Sequence, residues 1–312
     1  MSGKAIAVTG GAGFIGRFLA GRLVQRHVPV RLLDVQAPSH DFGDFQLVDI
    51  RDGDGLRQAL KDCSTVYHLA AAHRDDVRPT SLYADVNING TRRLIESAEA
   101  LQIKRIIFTS TVAVYGLGDT EFKEDNEPAP FNEYGRTKLA AEIMLREWAS
   151  RDPARSLVII RLAATFGPGN KGNIHTLIEQ IRNRHFVLVG AGQNRKSIAY
   201  VQNVADFLVQ CEDFLSGMHV YNYCDKPDLT TNELVSLIRR SLGFRGTGLR
   251  VPFAVGLVGG VMFDAVARLT GGNFPISAVR IRKFCADTVV NAERAYASGF
   301  IARHSLPAGL ER

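Results

Sequence analysis

The stretch EYGRTKLAAE (133–142) places Tyr134 and Lys138 four residues apart, so on a helix the phenol and the amine share one face. A tyrosine is a poor base at its free pKa near ~10. An ammonium group beside it favours the phenolate and brings it toward the range in which it takes a proton from a substrate hydroxyl. A second stretch, FTSTVAVYG (108–116), leaves an apolar run and presents hydroxyls. Thr111 is the candidate to hydrogen-bond the substrate oxygen, with Ser110 and Thr109 in reserve. The predicted catalytic set is Tyr134, Lys138 and Thr111, and the tyrosine and lysine are also expected to touch the cofactor.

A third stretch, VTGGAGFIGR (8–17), holds Gly10, Gly11, Gly13 and Gly16 directly after an apolar run and before a helical pattern. One glycine makes a tight turn, another lets the backbone approach a pyrophosphate, and the last lets helix and strand pack closely. The phosphates then lie against exposed N–H groups and the positive end of the helix. Asp34 ends the next apolar run, about 20 residues on, where a carboxylate accepts from both ribose hydroxyls and repels a 2′-phosphate. No arginine follows it closely, so NAD is expected rather than NADP.

The elements that must position these groups alternate along the first half. AIAVT (5–9), VPVRLLD (28–34), FQLVD (45–49), TVYHLA (65–70), KRIIFTS (104–110) and SLVIIR (156–161) read as strands. FIGRFLAGRLVQR, DGLRQALKD, NGTRRLIESAEAL and YGRTKLAAEIMLREWA carry apolar residues at helical spacing between them. This predicts an α/β fold, a Rossmann-like doubly wound parallel sheet covered by helices on both sides, with ligands at the carboxyl ends of its strands. After about residue 165 the rhythm loosens: FGPGNKGN reads as a loop, NIHTLIEQIRNR as a helix, HFVLVG as a strand, then QNVADFLVQCEDFL and TTNELVSLIRRSL as helices. Residues 1–165 are expected to form the NAD-binding domain and 166–312 a smaller α/β substrate lobe, intimately joined, with some later segments returning to the first.

The 312 residues are 46% hydrophobic and 22% charged, a globular composition large enough for a well-filled core. The net charge of +6 is scattered, without long basic runs or aromatic interleaving, which points away from nucleic acid and toward small anionic ligands. The four cysteines show no CxxC pairing and no nearby histidine cluster, so no metal site and no disulfide framework is expected, in keeping with a cytoplasmic protein. No secretory signal is recognised. VPFAVGLVGGVMF (251–263) is too short for a bilayer span, which needs about 20 residues; it reads as a buried helix, with contact to a membrane surface as the alternative.

Taken together, TGGAGFIG, the LLD that ends the second strand, VDIRD (48–52), VYHLAA (66–71), NINGT (87–91), STVAVYG, YGRTK and FGPG resemble the extended short-chain dehydrogenase/reductase family. The likeness is to its NAD-dependent nucleotide-sugar epimerase/dehydratase branch and runs along most of the chain. It implies that Phe14 and Ile15 line the phosphate loop, that Asp49 and Ile50 meet the adenine, and that Leu69, Ala70 and Ala71 run beside the cofactor. It also implies that Asn89 braces the central helix and that a homodimer forms through NINGTRRLIESAEAL and YGRTKLAAEIML.

The same resemblance narrows the reaction. A 4,6-dehydratase of the family carries an Asp–Glu pair immediately after its catalytic threonine, whereas Val112 and Ala113 stand here. Dehydration is therefore disfavoured, and the acidic loop EFKEDNE (121–127) reads as a solvated turn. A 4-epimerase needs no further carboxylate and keeps its cofactor, which suits the Asp34 site; it is the expected function, acting on a UDP-hexose or UDP-N-acetylhexosamine. A UDP-4-keto-6-deoxy-sugar reductase is the alternative, and a non-catalytic dinucleotide-binding regulator the alternative of another class. For the substrate, the family's pyrophosphate arginine is replaced by Lys196, with Arg195 beside it; Arg282 or Arg280 in VRIRKFCADT, read as one face of a strand, supplies a second cation. Leu162, Ala163 and Ala164 replace a Pro-x-Asn motif, so Asn170 or Asn173 is expected to substitute, and His73 stands where some epimerases carry a lysine. Cys285 and Thr288 leave room for an acetamido group, and an N-acetylated or deoxy sugar for surface polysaccharide synthesis is the expected substrate type.

Overall fold

A computed structural model describes residues 4–39, 42–74, 77–116, 118, 121–246, 248–270 and 278–311. The alternation read from the sequence becomes β1 (Ala5–Thr9), α1 (Phe14–Gln25), β2 (Val30–Asp34), β3 (Asp44–Leu47), α2 (Gly53–Ala59) and β4 (Cys63–His68). There follow α3 (Ser81–Ala84), a π-turn (Asp85–Asn89), α4 (Gly90–Ala100), β5 (Arg105–Thr111), α5 (Glu133–Ser150) and β6 (Ser156–Leu162). The second half contains β7 (Ala164–Phe166), α6 (Asn173–Arg182), β8 (Val187–Val189), β9 (Arg195–Tyr200), α7 (Val201–Gln210), β10 (Gly217–Tyr223), β11 (Asp225–Thr230) and α8 (Thr231–Ser241). It closes with β12 (Leu249–Val251), α9 (Phe253–Thr270), α10 (Ala278–Cys285), α11 (Glu293–Ala297) and α12 (Leu306–Leu310).

Seven parallel strands form the main sheet in the order β10-β6-β5-β4-β1-β2-β3. The strands are apolar on both faces because helices cover both. Ile6, Val8, Ile107, Val158 and Ile160 face one core with Leu19 and Leu23 of α1 and Phe207 and Leu208 of α7. Ala7, Ile106, Phe108, Leu157 and Ile159 face the other, with Leu94 of α4 and Leu145 and Trp148 of α5. The strand order reverses between β1, which pairs with β2, and β4, and that reversal opens a crevice at the carboxyl edge. The seventh strand, β10, has no counterpart in the sequence-based strands: it is an edge strand, and its half-exposed GMHVYNY lacks a continuous apolar run.

The later residues also build a three-stranded sheet, β11-β9-β7, and a parallel pair, β12 with β8. Two expectations fail here. VRIRKFC forms the helix α10, not a strand. Ile281 is buried and Arg282 exposed, while Phe284 packs its ring against Phe186 and the Cys285 thiol donates to Val189 O, so the inward residues fall at helical spacing. The apolar 251–263 stretch does open a helix, α9, but not a buried one: Val255, Val258 and Met262 are more than half exposed.

Candidate active site

The crevice is built first by glycine. Gly10 has φ +70°, and a Cβ there would lie 2.8 Å from Ala70 N. On Gly16 it would lie 2.3 Å from Gly10 O, so the turn closes on itself and α1 starts with its N–H groups facing the crevice. Leu69 N–H donates to Thr9 O and Ala70 N–H to Thr9 Oγ1, which brings the Leu69–Ala71 run beside the glycine turn. Asp34, at the carboxyl end of β2, accepts from Ala12 N–H at 3.0 Å and from Gln36 N–H at 3.2 Å. It therefore holds the glycine loop in place, and its partly exposed carboxylate retains lone pairs for a diol.

Val48 N–H donates to Asp34 O, which carries Asp49 and Ile50 toward the same edge. Asp49 is held by Arg51, whose hydrogen bonds keep its carboxyl below the usual range against the opposing effect of burial. Ile50 is buried against Gly90. Phe14 and Ile15 occupy the first turn of α1, half-buried. A glycine cradle that a Cβ would fill, a helix N-terminus without an acidic residue in its first turn, and a carboxylate at the end of β2 fit a dinucleotide's diphosphate and ribose.

On the other side of the switch point, Asn132 caps α5 by accepting from Gly135 N–H at 2.8 Å. A Cβ on Gly135 would lie 2.6 Å from Ala113 O, so the turn that carries Tyr134 rests on the turn that follows Thr111. Thr111 ends β5, almost buried, and its Oγ1 accepts from Ala113 N–H at 3.2 Å. Its hydroxyl proton is not used in that bond. Ser110 and Thr109, the reserves, are committed elsewhere: Ser110 Oγ donates to Glu142 Oε1 at 2.5 Å and Thr109 Oγ1 to His68 O at 3.4 Å. Lys138 is 1% exposed, its Nζ 3.9 Å from the centre of the Phe108 ring. Burial pushes the amine down to about 7, opposed by Glu142. An anion beside it, such as the phenolate of Tyr134, favours the charged form again.

Three supports are not among the residues singled out in the sequence. Asn87, not Asn89, braces the centre. Its amide accepts from Ala72 N–H at 2.8 Å and donates to Ala72 O at 3.1 Å and to Thr137 Oγ1 at 2.9 Å, tying the cofactor edge to α5. Asn89 is exposed and pairs with Asp85 and Arg92. His68 is fully buried between Thr9 Oγ1 and Thr91 Oγ1, and burial first, then the nearby Lys138, pushes it down to about 3, so it is neutral. Glu142, fully buried, accepts from Arg161 Nε at 3.0 Å and Nη2 at 2.7 Å; its spacing of four from Lys138 was the available clue. Arg17, at the end of the glycine motif, has no role assigned from the sequence; it donates to Pro168 O and so links the glycine helix to the 167–170 loop.

Dispersed positions make up the substrate set. Lys196 Nζ donates to Ala286 O at 2.6 Å and Thr288 Oγ1 at 3.2 Å, and burial lowers its pKa. Arg195 is exposed, with its backbone N–H on Asp287 Oδ1. Arg282 lines a cavity of about 400 Å³ with Asn194, Phe253 and Cys285. The side chain of Arg280 lies outside the described residues. Asn170 is spent within its own loop, donating to Thr165 O and accepting from Gly172 N–H, and Asn173 is exposed in the first turn of α6. His73 is exposed on the loop after β4. Glu124 of the acidic loop is not solvated: it is buried, accepts from Asn222 N–H at 2.8 Å and faces Arg294. Among the described residues no cluster has the composition of a metal site.

Residues 6–222 match the NAD dependent epimerase/dehydratase family. The chain belongs to this family. It is 43% identical, over 98% of its length and 93% of the relative's, to N-acetyl-alpha-D-glucosaminyl-diphospho-ditrans,octacis-undecaprenol 4-epimerase of Escherichia coli O157:H7. It is 33% identical to UDP-glucose 4-epimerase of Vibrio cholerae, over 86% of each chain. MoeE5, solved in complex with UDP-glucose and NAD, superposes with a TM-score of 0.78 and 27% identity over 98% of this chain and 96% of its own. This family member is thus an NAD-dependent enzyme, and the expected 4-epimerase activity stands.

Proposed function

We propose that the chain inverts C4 of a hexose or N-acetylhexosamine carried on a diphosphate, through a transient 4-ketone. Tyr134 takes the proton of the C4 hydroxyl, Lys138 supports the phenolate, and Thr111 donates its hydroxyl proton to the substrate oxygen. The Gly10–Gly16 turn and Asp34 would hold NAD, which would supply hydride chemistry to C4 in both directions. The ketone then turns in the site and takes the hydride on its opposite face, and Tyr134 returns the proton. The observation that carries this reading is the turn after Thr111: Val112 and Ala113 put no carboxylate where elimination of water needs one, while Gly135, next to Tyr134 on α5, packs against Ala113 O of that turn.

Cations for the diphosphate are Lys196 and Arg282. A nucleoside diphosphate carrier, as in the name of the Vibrio cholerae UDP-glucose 4-epimerase, is the first reading. Undecaprenyl diphosphate is the second, favoured by the 43% identity to a relative named for it. Residues 1–165 serve as the cofactor lobe and 166–312 as the substrate lobe, with α4 and α5 as the dimer surface. The cytoplasm is the proposed compartment, and surface polysaccharide synthesis is the matching role.

Purified protein without added cofactor, given UDP-GlcNAc, UDP-glucose or undecaprenyl-diphospho-GlcNAc in solvent deuterium oxide, should form the C4 epimer with no deuterium at C4. Oxidation of added NADH by a 4-keto-6-deoxy sugar, with no epimer from any of the three, would replace this reading by the reductase.

A further inference from the structure

We propose that α9 is an interfacial anchor that lies in the surface of a lipid bilayer and sets the diphosphate groove against it. This rests on the undecaprenyl carrier named above.

The helix is turned inside out. In the stretch 253–263, two glycines face the protein: a Cβ on Gly256 would lie 2.4 Å from Val189 Cγ1, and Gly260 is buried. Most of the large apolar residues of that stretch face out, with Val258 61%, Met262 65% and Val255 58% exposed, and Phe253, Val261 and Phe263 beside them. A soluble surface seldom leaves so many large apolar side chains contiguous. Positions 253–263 carry no charge, but among the described residues no helix is long and apolar enough to cross a membrane. An apolar, outward-facing helical stretch with Arg250 before it and Arg282 beside it has the makeup of a segment that sinks about 5–10 Å into the boundary between headgroups and acyl chains.

Two observations make lipid the occupant. Arg250, on the strand that leads into α9, and Arg282, on the helix packed against it, are both exposed, which suits an anionic headgroup layer. Phe253 also lines the same cavity as Arg282, so the apolar surface begins where the candidate diphosphate groove ends. A sugar diphosphate on a polyprenol needs that sequence of environments: a polar pocket, a cationic throat, and hydrocarbon.

The test uses the full chain with its co-purifying cofactor and vesicles of phosphatidylcholine with roughly a quarter phosphatidylglycerol. Wild type should sediment with the vesicles, less so at high salt. Val258→Asp combined with Met262→Asp should bind them at least about tenfold more weakly, and Val258→Ser with Met262→Ser should fall between. Turnover of undecaprenyl-diphospho-GlcNAc in those vesicles should drop in parallel, while turnover of a water-soluble, short-prenyl diphospho-GlcNAc should match wild type. Equal sedimentation of wild type and variants, or none by wild type, overturns the anchor. A dimer that the same substitutions turn into monomers, with no change at vesicles, assigns the face to a second copy and overturns it as well. Vesicle binding that depends on α9, with no epimerisation of any diphosphate-linked sugar, sinks the epimerase reading and leaves the anchor standing.

Discussion

Lys138 is the side chain whose chemistry depends most on its surroundings. Folding takes its amine out of water and pushes its pKa from the ordinary ~10.4 of lysine down to about 7. Between those values the unfolded chain holds a proton that the folded one lacks. Cofactor-free protein therefore gains stability as pH rises through this window and loses it as pH falls toward about 7, by up to about 1.4 kcal/mol per pH unit. Lys138→Met should remove that slope in urea denaturation of NAD-stripped protein, and a slope that survives the substitution would contradict the assignment. For Tyr134→Phe, kcat should fall by about 10²–10⁴ with NAD affinity and Tm retained, as expected when the lost group only transfers a proton. A fall in NAD affinity alone would move Tyr134 out of the chemistry.

At the scale of elements, the π-turn before α4 shows how a motif can be legible and its key residue not. NINGT offers two asparagines at positions two apart. Which of them turns inward depends on the local winding of the helix, and the extra residue of the π-turn sends Asn87 to Ala72 and Thr137 and Asn89 to solvent. Asn87→Leu leaves Ala72 N–H, Ala72 O and the Thr137 hydroxyl without this partner and should cost about 2–4 kcal/mol of unfolding free energy. Asn89→Ala should stay within about 0.5 kcal/mol. Chemical denaturation of the two variants side by side decides between the residues. The misreading of α10 has a related cause: Val279, Ile281 and the arginines between and after them alternate like a strand, and only packing against β8 selects the helical period.

In the molecule as a whole, a buried polar chain links the two cores' strands behind the reacting edge. Arg161 of β6 meets Glu142 of α5 and, through Nη1, Tyr115 OH at 2.8 Å, and Tyr115 OH donates to Asn222 of β10 at 2.7 Å. The chain thus joins α5 to the strand that returns from the second half. Removing one member of a buried ion pair leaves a charge without compensation, so Glu142→Ala should cost about 3–5 kcal/mol. Glu142→Leu together with Arg161→Met should recover most of that loss, as measured by Tm, because an apolar pair carries no desolvation penalty. If the double variant were no more stable than Glu142→Ala, the pair would not be the source of the loss.

The sequence by itself determined the glycine turn, Asp34 at the end of β2, the helix face shared by Tyr134 and Lys138, and the parallel sheet that sets them on one edge. Each of these follows from local rules: φ freedom at glycine, a period of 2 or 3.6, and the direction of βαβ crossovers. Only the tertiary structure decided that Asn87 rather than Asn89 holds the centre, that Glu142 and Glu124 are buried, that Asn170 is spent in its own loop, and that α9 faces outward. Those outcomes depend on which distant segment occupies the space beside a residue. An apolar stretch in the chain states that it avoids water, and only the assembled molecule shows whether anything covers it.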